Sequence, residues 1–211
     1  MKSYNKVYNR CIKRILDCLL SVAAILLVWP LYIVIAIAIV IESGFPIFYR
    51  AERGGYLGVP FRICKFRTMV KDADKIGGGT TALNDSRITK VGNLLRKTKL
   101  DEIPQLWQVF LGKMSFVGPR PELLRYVDQY SGDELEILQV RPGITDYSSI
   151  EFINLDEIVG TENADEMYEK YVLKRKNELR VKYARTVSFF TDAKLLLLTV
   201  WKVIEKIVRV I

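Results

Sequence analysis

The sequence predicts a mostly helical α+β protein with a membrane re-entrant helix–break–helix, a compact cytoplasmic domain containing a small β-hairpin, and an amphipathic C-terminal helix at the membrane interface. Three observations predict this fold class. Residues 19–41 are uncharged and are divided by Pro30, two stretches alternate apolar and polar residues around "GGYLG", and the C-terminal residues separate apolar from basic side chains on a helical wheel. The expected units are residues 1–45, 46–185 and 186–211.

The apolar run at the N terminus has 23 residues, and as a helix it would extend ~34 Å, more than a ~30 Å hydrocarbon core. A single spanning helix is therefore one interpretation. However, Pro30 removes a helix hydrogen bond in the middle of the run, and both flanks are basic, so the positive-inside rule places both on the cytoplasmic side. These features favour a helix that breaks at Pro30 and returns to the same leaflet. We expect Asp17, at the edge of the run, to pair with Lys13 or Arg14.

The segments after the membrane run predict short elements. "PIFYR" and "FRICKFR" read as an antiparallel pair of strands. Helices are predicted for residues 87–99, 101–111 and 121–139. "RPGIT" (141–145) predicts a turn that leads into an extended piece. Residues 186–211 predict an interfacial helix, with an ordinary core-facing helix as the alternative.

Composition limits the chemistry that the chain can perform. Its 211 residues carry a formal charge of +8, half of them are hydrophobic, and none is histidine. Strong basicity with high apolarity indicates contact with anionic headgroups or phosphorylated ligands. Nucleic acid is excluded as the expected partner because basicity is the only feature that supports it. The absence of histidine excludes Ser-His-Asp and HExxH sites, and the three cysteines show no CxxC spacing.

An adjacent acid pair, Asp101 and Glu102, lies in the most basic part of the chain. Between residues 87 and 120, seven cations accompany these two acids: Arg87, Lys90, Arg96, Lys97, Lys99, Lys113 and Arg120. One interpretation is structural, since Asp101 could cap a helix that has Pro104 in its first turn. The other is chemical. Cations would hold the carboxylate ionised and attract phosphate, which permits Mg²⁺ ligation or direct attack of Asp101 on phosphorus.

Arg120 lies between Pro119 and Pro121 in "SFVGPRPE". A guanidinium group held in a stiff loop suits bidentate binding of phosphate oxygens. Prolines on both sides of an arginine also simply shape a turn, so this motif alone does not decide between the two interpretations.

Four stretches together resemble the bacterial sugar transferase family of small monotopic phosphoglycosyl transferases: "KRILD", "CKFRTM" (64–69), "LRKTKLDEIPQLWQVFLGKMSFVGPRPE" (95–122) and "RPGIT". The similarity covers roughly residues 10–150. It implies a re-entrant membrane helix, a catalytic domain (residues 46–185) on the cytoplasmic face of the bacterial inner membrane, and dependence on Mg²⁺. It also implies transfer of a sugar-1-phosphate from a UDP-sugar to polyprenyl phosphate, with release of UMP, as the first membrane step of a glycoconjugate pathway.

The resemblance also implies roles for individual residues. Asp101 corresponds to the nucleophile and magnesium ligand of a ping-pong mechanism through an aspartyl-phosphosugar, and Glu102 corresponds to its dyad partner. The residues that correspond to phosphate and substrate binders are Arg96, Arg120, Lys65 and Arg67. The implied partners are UDP-sugar, polyprenyl phosphate and membrane lipids, and pairing with a second copy as a homodimer stays open. The alternative function is a non-enzymatic, basic, membrane-anchored adaptor.

Two residues depart from the pattern that is frequent in the family. Asp146 follows "RPGIT" where glycine is frequent, and Glu122 follows "GPRP" where an apolar residue is frequent. The first departure leaves the recognition of sugar or uridine by this loop open, and neither changes the proposed chemistry.

Overall fold

The N-terminal apolar run forms one long helix, α1 (Lys13–Ser43), which follows a π-helical stretch, Tyr8–Ile12. The computed structural model describes residues 2–73, 76, 79–82, 84–161 and 163–210. Among these residues, Tyr8–Ser43 is the one helical segment that is long and apolar enough to cross a membrane, by length and composition. Its middle is exposed, including Leu26, Leu27 and Trp29, which suggests association with a membrane.

The prediction that the helix breaks at Pro30 is wrong, because α1 continues through this residue. A proline removes only one backbone hydrogen bond from a helix. The hydrogen bonds of the neighbouring turns remain and keep the helix continuous. The re-entrant path itself stays a prediction.

Both ends of α1 contact the same folded unit. Near its start, the Arg14 guanidinium donates to the carbonyls of Val109 (2.6 Å) and Phe110 (2.5 Å). At its end, Arg67 Nη2 donates to the Ser43 hydroxyl (2.6 Å) and carbonyl (2.9 Å). The same folded unit therefore forms hydrogen bonds at both ends of the helix.

Asp17 forms no close ion pair with Lys13 or Arg14 among the described residues, so the predicted local pairing is wrong. Its Oδ1 accepts the N–H of Phe116 (3.1 Å), while Lys13 pairs with Asp192 near the C terminus. Asp17 and Lys13 each bind a residue from a distant segment, because the packing of the domain places these partners closer than their neighbours on α1.

The predicted strand pair is confirmed as β1 (Phe48–Arg53) and β2 (Phe61–Phe66), which are antiparallel. Phe66 is buried and packs with Ile35 and Ile39 of α1. The sheet and the end of α1 therefore share one core.

The basic helix predicted over residues 87–99 is confirmed with shorter bounds as α2 (Lys90–Thr98), and the Thr89 hydroxyl accepts the N–H of Gly92 (2.9 Å) at its start. The helix predicted over residues 101–111 is divided into a 3-10 turn, Leu100–Glu102, and α3 (Gln105–Phe110).

The second half of the domain differs most from the prediction. β3 (Ser115–Val117) pairs in parallel with β4 (Gly143–Thr145), a pairing that the sequence did not indicate. In place of one helix over residues 121–139, the chain forms α4 (Leu124–Val127) and a 3-10 helix, Gly132–Gln139. The piece expected to be extended contains a helix, α5, because the Asp146 carboxylate accepts the N–H of Ser149 (2.7 Å) and caps it. The remaining elements here are α5 (Tyr147–Glu151), α6 (Leu155–Val159), α7 (Ala164–Met167), a π-helical stretch (Tyr168–Leu173) and α8 (Lys174–Thr186).

The C-terminal helix, α9 (Phe189–Val210), turns polar side chains toward the domain. Asp192 accepts from the Tyr8 and Tyr183 hydroxyls (2.7 Å each), and Thr199 is hydrogen-bonded to Thr145 (2.6 Å). An apolar stripe at helical spacing faces away from the domain: Phe190, Leu197, Trp201, Ile204 and Val208. The domain-facing side of α9 is not purely polar, since Leu195 is buried in the core and Leu196 packs against it. The helix therefore combines a core-facing side with an exposed apolar stripe.

Candidate active site

The Asp-Glu pair lies in the short 3-10 turn between α2 and α3, and both side chains are buried. Lys99 precedes the turn in the left-handed conformation (φ 60°), which redirects the chain after α2. Asp101 does not cap a helix, since Lys99 stands before the turn and Pro104 before α3, and neither end has a side-chain cap. The capping interpretation of Asp101 is therefore wrong.

Glu102 is tied to two cations. Arg120 donates to both of its carboxylate oxygens, from Nη1 to Oε2 at 2.9 Å and from Nη2 to Oε1. Lys65 Nζ donates to Oε1 (3.0 Å). Burial alone would raise the pKa of Glu102, but the charges of Arg120 and then Lys65 hold this pKa well below its usual range. Glu102 is thus a fixed, ionised carboxylate.

Asp101 has the opposite environment. Its Oδ2 lies 3.8 Å from Lys65 Nζ, whereas its Oδ1 is buried without a hydrogen-bond partner among the described residues. Burial raises the pKa of Asp101, and the lowering effect of Lys65 and the other cations does not reverse this. The cations act on Asp101 in the predicted direction, but desolvation outweighs them, so the net shift of its pKa is upward.

Arg96 and Arg67 are two of the predicted phosphate and substrate binders. Each has one side-chain nitrogen in a hydrogen bond and at least one buried nitrogen without a partner among the described residues. Arg96 Nη2 donates to the Thr81 hydroxyl (2.8 Å), and its buried Nη1 has no partner among the described residues. Arg67 uses Nη2 at the end of α1, and its Nε and Nη1 are likewise unpaired. Lys65 and Arg120 lie directly at the dyad, and the assigned roles of all four residues stay predictions.

Two residues of this site were not predicted from the sequence. Lys99 is close enough to Glu102 and Asp101 for their charges to act on it, and burial lowers its pKa. Gln105 is fully buried, and neither polar atom of its carboxamide has a partner among the described residues. The available signals were the position of Lys99 next to the acid pair and a glutamine inside the apolar run "IPQLWQVF".

The two departures from the family pattern, Glu122 and Asp146, belong to polar networks, with Asp146 fully buried and Glu122 mostly buried. Glu122 accepts from Arg180 Nη2 (2.9 Å) and from the Tyr168 hydroxyl, and the Arg180 and Lys176 charges lower the pKa of Glu122 to about 2 despite burial. Asp146 accepts from the Ser148 and Ser149 hydroxyls. Both carboxylates are therefore already engaged in hydrogen bonds within the protein.

The donor set at the dyad suits a hydrated magnesium ion. Nowhere in the described part of the chain do three or more Cys, Asp or Glu side chains gather into a preformed metal cage. Mg²⁺ retains several waters and uses one or two carboxylates together with substrate phosphates, and the Asp101 carboxylate offers oxygens of this kind.

The site thus combines an unpaired buried carboxylate oxygen with a neighbouring carboxylate neutralised by two cations, in a chain whose long exposed apolar helix suggests association with a membrane. A model of the bacterial sugar transferase family matches residues 8–206, and the chain belongs to this family.

Curated relatives agree with this assignment. The chain is 38% identical over 199 residues to the UDP-glucose:undecaprenyl-phosphate glucose-1-phosphate transferase of Escherichia coli K12, covering 92% of this chain and 40% of that protein. It is 37% identical over 194 residues to the uncharacterized sugar transferase EpsL of Bacillus subtilis 168, covering 92% of this chain and 87% of the relative. It is 38% identical over 142 residues to a UDP-N-acetylgalactosamine-undecaprenyl-phosphate N-acetylgalactosaminephosphotransferase of Aeromonas hydrophila, covering 66% of this chain and 34% of that protein. The chain thus spans about two fifths of the length of the E. coli relative.

Proposed function

We propose that the protein transfers a sugar-1-phosphate from a UDP-sugar to polyprenyl phosphate and releases UMP. One observation carries the proposal: Asp101 keeps a buried carboxylate oxygen unpaired beside a Glu102 whose two oxygens are both occupied by cations. An oxygen without a protein partner is available to a phosphorus atom, whereas Glu102 is not. Family membership and the names of the relatives support the same reaction.

The proposed mechanism has two displacements at one phosphorus atom. Asp101 Oδ1 attacks the phosphorus that carries the sugar, an O–P bond forms, and the bond to the bridging oxygen breaks as UMP leaves with that oxygen. An oxygen of polyprenyl phosphate then attacks the aspartyl-phosphosugar, which restores the Asp101 carboxylate and gives a diphosphate-linked lipid. Arg120 and Lys65 hold Glu102 in place, and Arg96 presents a nitrogen that suits the donor's phosphates.

Asp101 is the proposed magnesium ligand, with Glu102 adjacent to it. When bound, Mg²⁺ would neutralise charge on the phosphate oxygens. Because Oδ1 attacks the phosphorus, the other carboxylate oxygen of Asp101, Oδ2, is the proposed ligand, and the surrounding protein provides a buried setting for that ion.

The membrane arrangement follows from α1 and α9. We propose that α1 re-enters the leaflet that it leaves, since both of its ends are held by the catalytic domain. The outward apolar stripe of α9 would lie in the same interface. The proposed location is the bacterial inner membrane with the domain facing the cytoplasm, where the enzyme would start assembly of a lipid-linked glycan.

Release of UMP tests the reaction, with purified protein, polyprenyl phosphate, Mg²⁺ and a panel of UDP-sugars. Rapid quenching with a donor labelled in the sugar phosphate should leave label on the wild-type chain, and Asp101→Asn should abolish it. Asp128→Asn, which removes an exposed carboxylate, is the matched control and should retain label. Product formation without label on the protein would contradict the covalent mechanism, and an Asp101→Asn variant with full biological effect would favour the adaptor.

A further inference from the structure

Most of the buried polar atoms without partners belong to predicted site residues and to Gln105. Seven side-chain atoms of this kind occur among the described residues, and six of them belong to four residues: Arg67, Arg96, Asp101 and Gln105. Buried polar groups in folded proteins are nearly always paired, so such a group of exceptions indicates atoms kept for a ligand. Gln105 contributes both a donor and an acceptor to this set.

Gln105 lies on the same face of the chain as Asp101. Ile103 (φ −51°, ψ −36°) and Pro104 (φ −58°, ψ −21°) keep the backbone on a right-handed helical path between the 3-10 turn and α3. Residues four apart on such a path share a face, and Gln105 follows Asp101 by four positions.

Gln108, on the same face, fixes the direction of that face. Its Oε1 accepts the N–H of Cys64 (2.9 Å) and its Nε2 donates to the carbonyl of Arg62 (2.6 Å), both on β2. Asp101 also faces β2, through Lys65 (3.8 Å). Gln105 therefore lies between two residues that both face β2, and among the three it alone has neither a hydrogen bond nor an ion pair from its side chain to the described residues.

We propose that the Gln105 carboxamide binds the phosphoryl group that Asp101 attacks, which makes it a catalytic residue of the proposed reaction. Its Nε2 donates a hydrogen bond to a non-bridging phosphate oxygen, and this bond strengthens as negative charge develops there. Its Oε1 accepts from a donor of the same substrate, such as a sugar hydroxyl. This inference rests on the proposed function and deepens it.

Gln105→Met and Gln108→Met separate this role from a structural one, because both replace a buried carboxamide with an apolar side chain of similar length. Gln105→Met removes two unpaired polar atoms, so its melting temperature should equal or exceed that of the wild type. Gln108→Met removes two hydrogen bonds to β2, so its melting temperature should fall. The full chain is measured in detergent.

Activity is then measured as initial rates of UMP release from the fastest donor among UDP-glucose, UDP-galactose, UDP-N-acetylglucosamine and UDP-N-acetylgalactosamine. Gln105→Met should lower kcat about 100-fold, as the loss of one transition-state donor does elsewhere. A kcat within about 2-fold of the wild type, a fall in melting temperature like that of Gln108→Met, or failure of Gln105→Met to fold would each overturn the inference. If the wild type releases no UMP from any donor, the proposed function fails, and the melting comparison still shows whether Gln105 has a structural role.

Discussion

Arg120 donates hydrogen bonds to both carboxylate oxygens of Glu102, and this pairing separates the tasks of the two acids. Glu102 becomes a fixed anion with a lowered pKa, and Asp101, its neighbour in sequence, keeps an unpaired oxygen and a raised pKa. Two adjacent carboxylates therefore differ in reactivity because one of them holds the cations.

Replacements of the two acids should have opposite effects on stability. Asp101→Asn removes a buried charge whose ionised form is disfavoured, so we expect a higher melting temperature together with loss of UMP release. Glu102→Gln leaves Arg120 and Lys65 without their anion and should lower the free energy of unfolding by about 3–5 kcal/mol. Thermal unfolding of both variants at pH 7.5 checks this difference, and equal shifts of the same sign would contradict it.

The acid pair could be recognised from the sequence, but its electrostatics could not. Asp101 and Glu102 stood out because the chain has no histidine and because the surrounding motif resembles a known family. The sign of the Asp101 pKa shift depends on burial, and burial is set by segments as distant as Lys65 on β2 and Arg120 after β3. The number of cations near Asp101 can be counted in the sequence, but the loss of solvent around its carboxyl group cannot.

The secondary structure shows the same difference between features set by neighbouring residues and features set by distant ones. The β1–β2 hairpin was predicted because alternation and a short turn are local signals. The parallel β3–β4 pair was missed because it joins three-residue strands, Ser115–Val117 and Gly143–Thr145, that are far apart in sequence. Pro30 does remove one backbone N–H, as the sequence indicates, but the loss of one hydrogen bond does not interrupt the helix.

Lys176 predicts a pH dependence of stability. Burial, with a smaller effect of the Arg180 charge, lowers the pKa of Lys176 to about 7, while in the unfolded chain it returns to its ordinary value of 10.5. Between these values the unfolded chain binds the additional proton, so this lysine makes stability rise as pH increases from about 7 toward 10.5. The groups that act on it include Arg180, Glu122, Arg120 and Asp146.

Lys176→Met should therefore unfold at a higher temperature than the wild type at pH 7.5, and the difference should shrink toward pH 10. Melting curves of both proteins across this range measure it. The exposed Lys174→Met variant serves as the control and should show no such convergence. A constant difference between Lys176→Met and the wild type would contradict the assignment.

Gly92 holds α2 against the segment that follows β2. A Cβ atom at this position would lie 2.0 Å from the Thr68 carbonyl oxygen, which is backbone and cannot rotate away. Gly92→Ala should cost about 1–3 kcal/mol and lower activity, because α2 carries Arg96. Asn93→Ala, on the exposed side of the same helix, should stay within about 0.5 kcal/mol of the wild type. Chemical unfolding of both variants provides the measurement, and similar losses would contradict this account of the contact.

The buried ion pair between Lys13 and Asp192 connects the start of α1 to α9. Lys13→Met leaves the Asp192 carboxylate buried, with the hydroxyls of Tyr8 and Tyr183 as its remaining side-chain donors among the described residues, so we expect a loss of about 3–5 kcal/mol. The double variant Lys13→Met/Asp192→Asn removes both charges and should recover part of that loss. Thermal unfolding in detergent decides the outcome, and a double variant less stable than the single one would show that the pair does not act as a unit.

The path of α1 can be tested from its two ends. Cysteines introduced at Asn5 and Lys71 in a chain whose three native cysteines are replaced by serine should both label only from the cytoplasmic side, because Arg14 and Arg67 fix the two ends of α1 to one domain.

Pro30→Ala restores the missing helix hydrogen bond and should increase the fraction of molecules in which the helix spans the membrane. In those molecules one end of α1 is drawn away from the domain, so activity should fall with the same fraction. Labelling of intact spheroplasts with a membrane-impermeant maleimide measures both variants. Labelling of only one site in the chain that retains Pro30 would show a spanning helix.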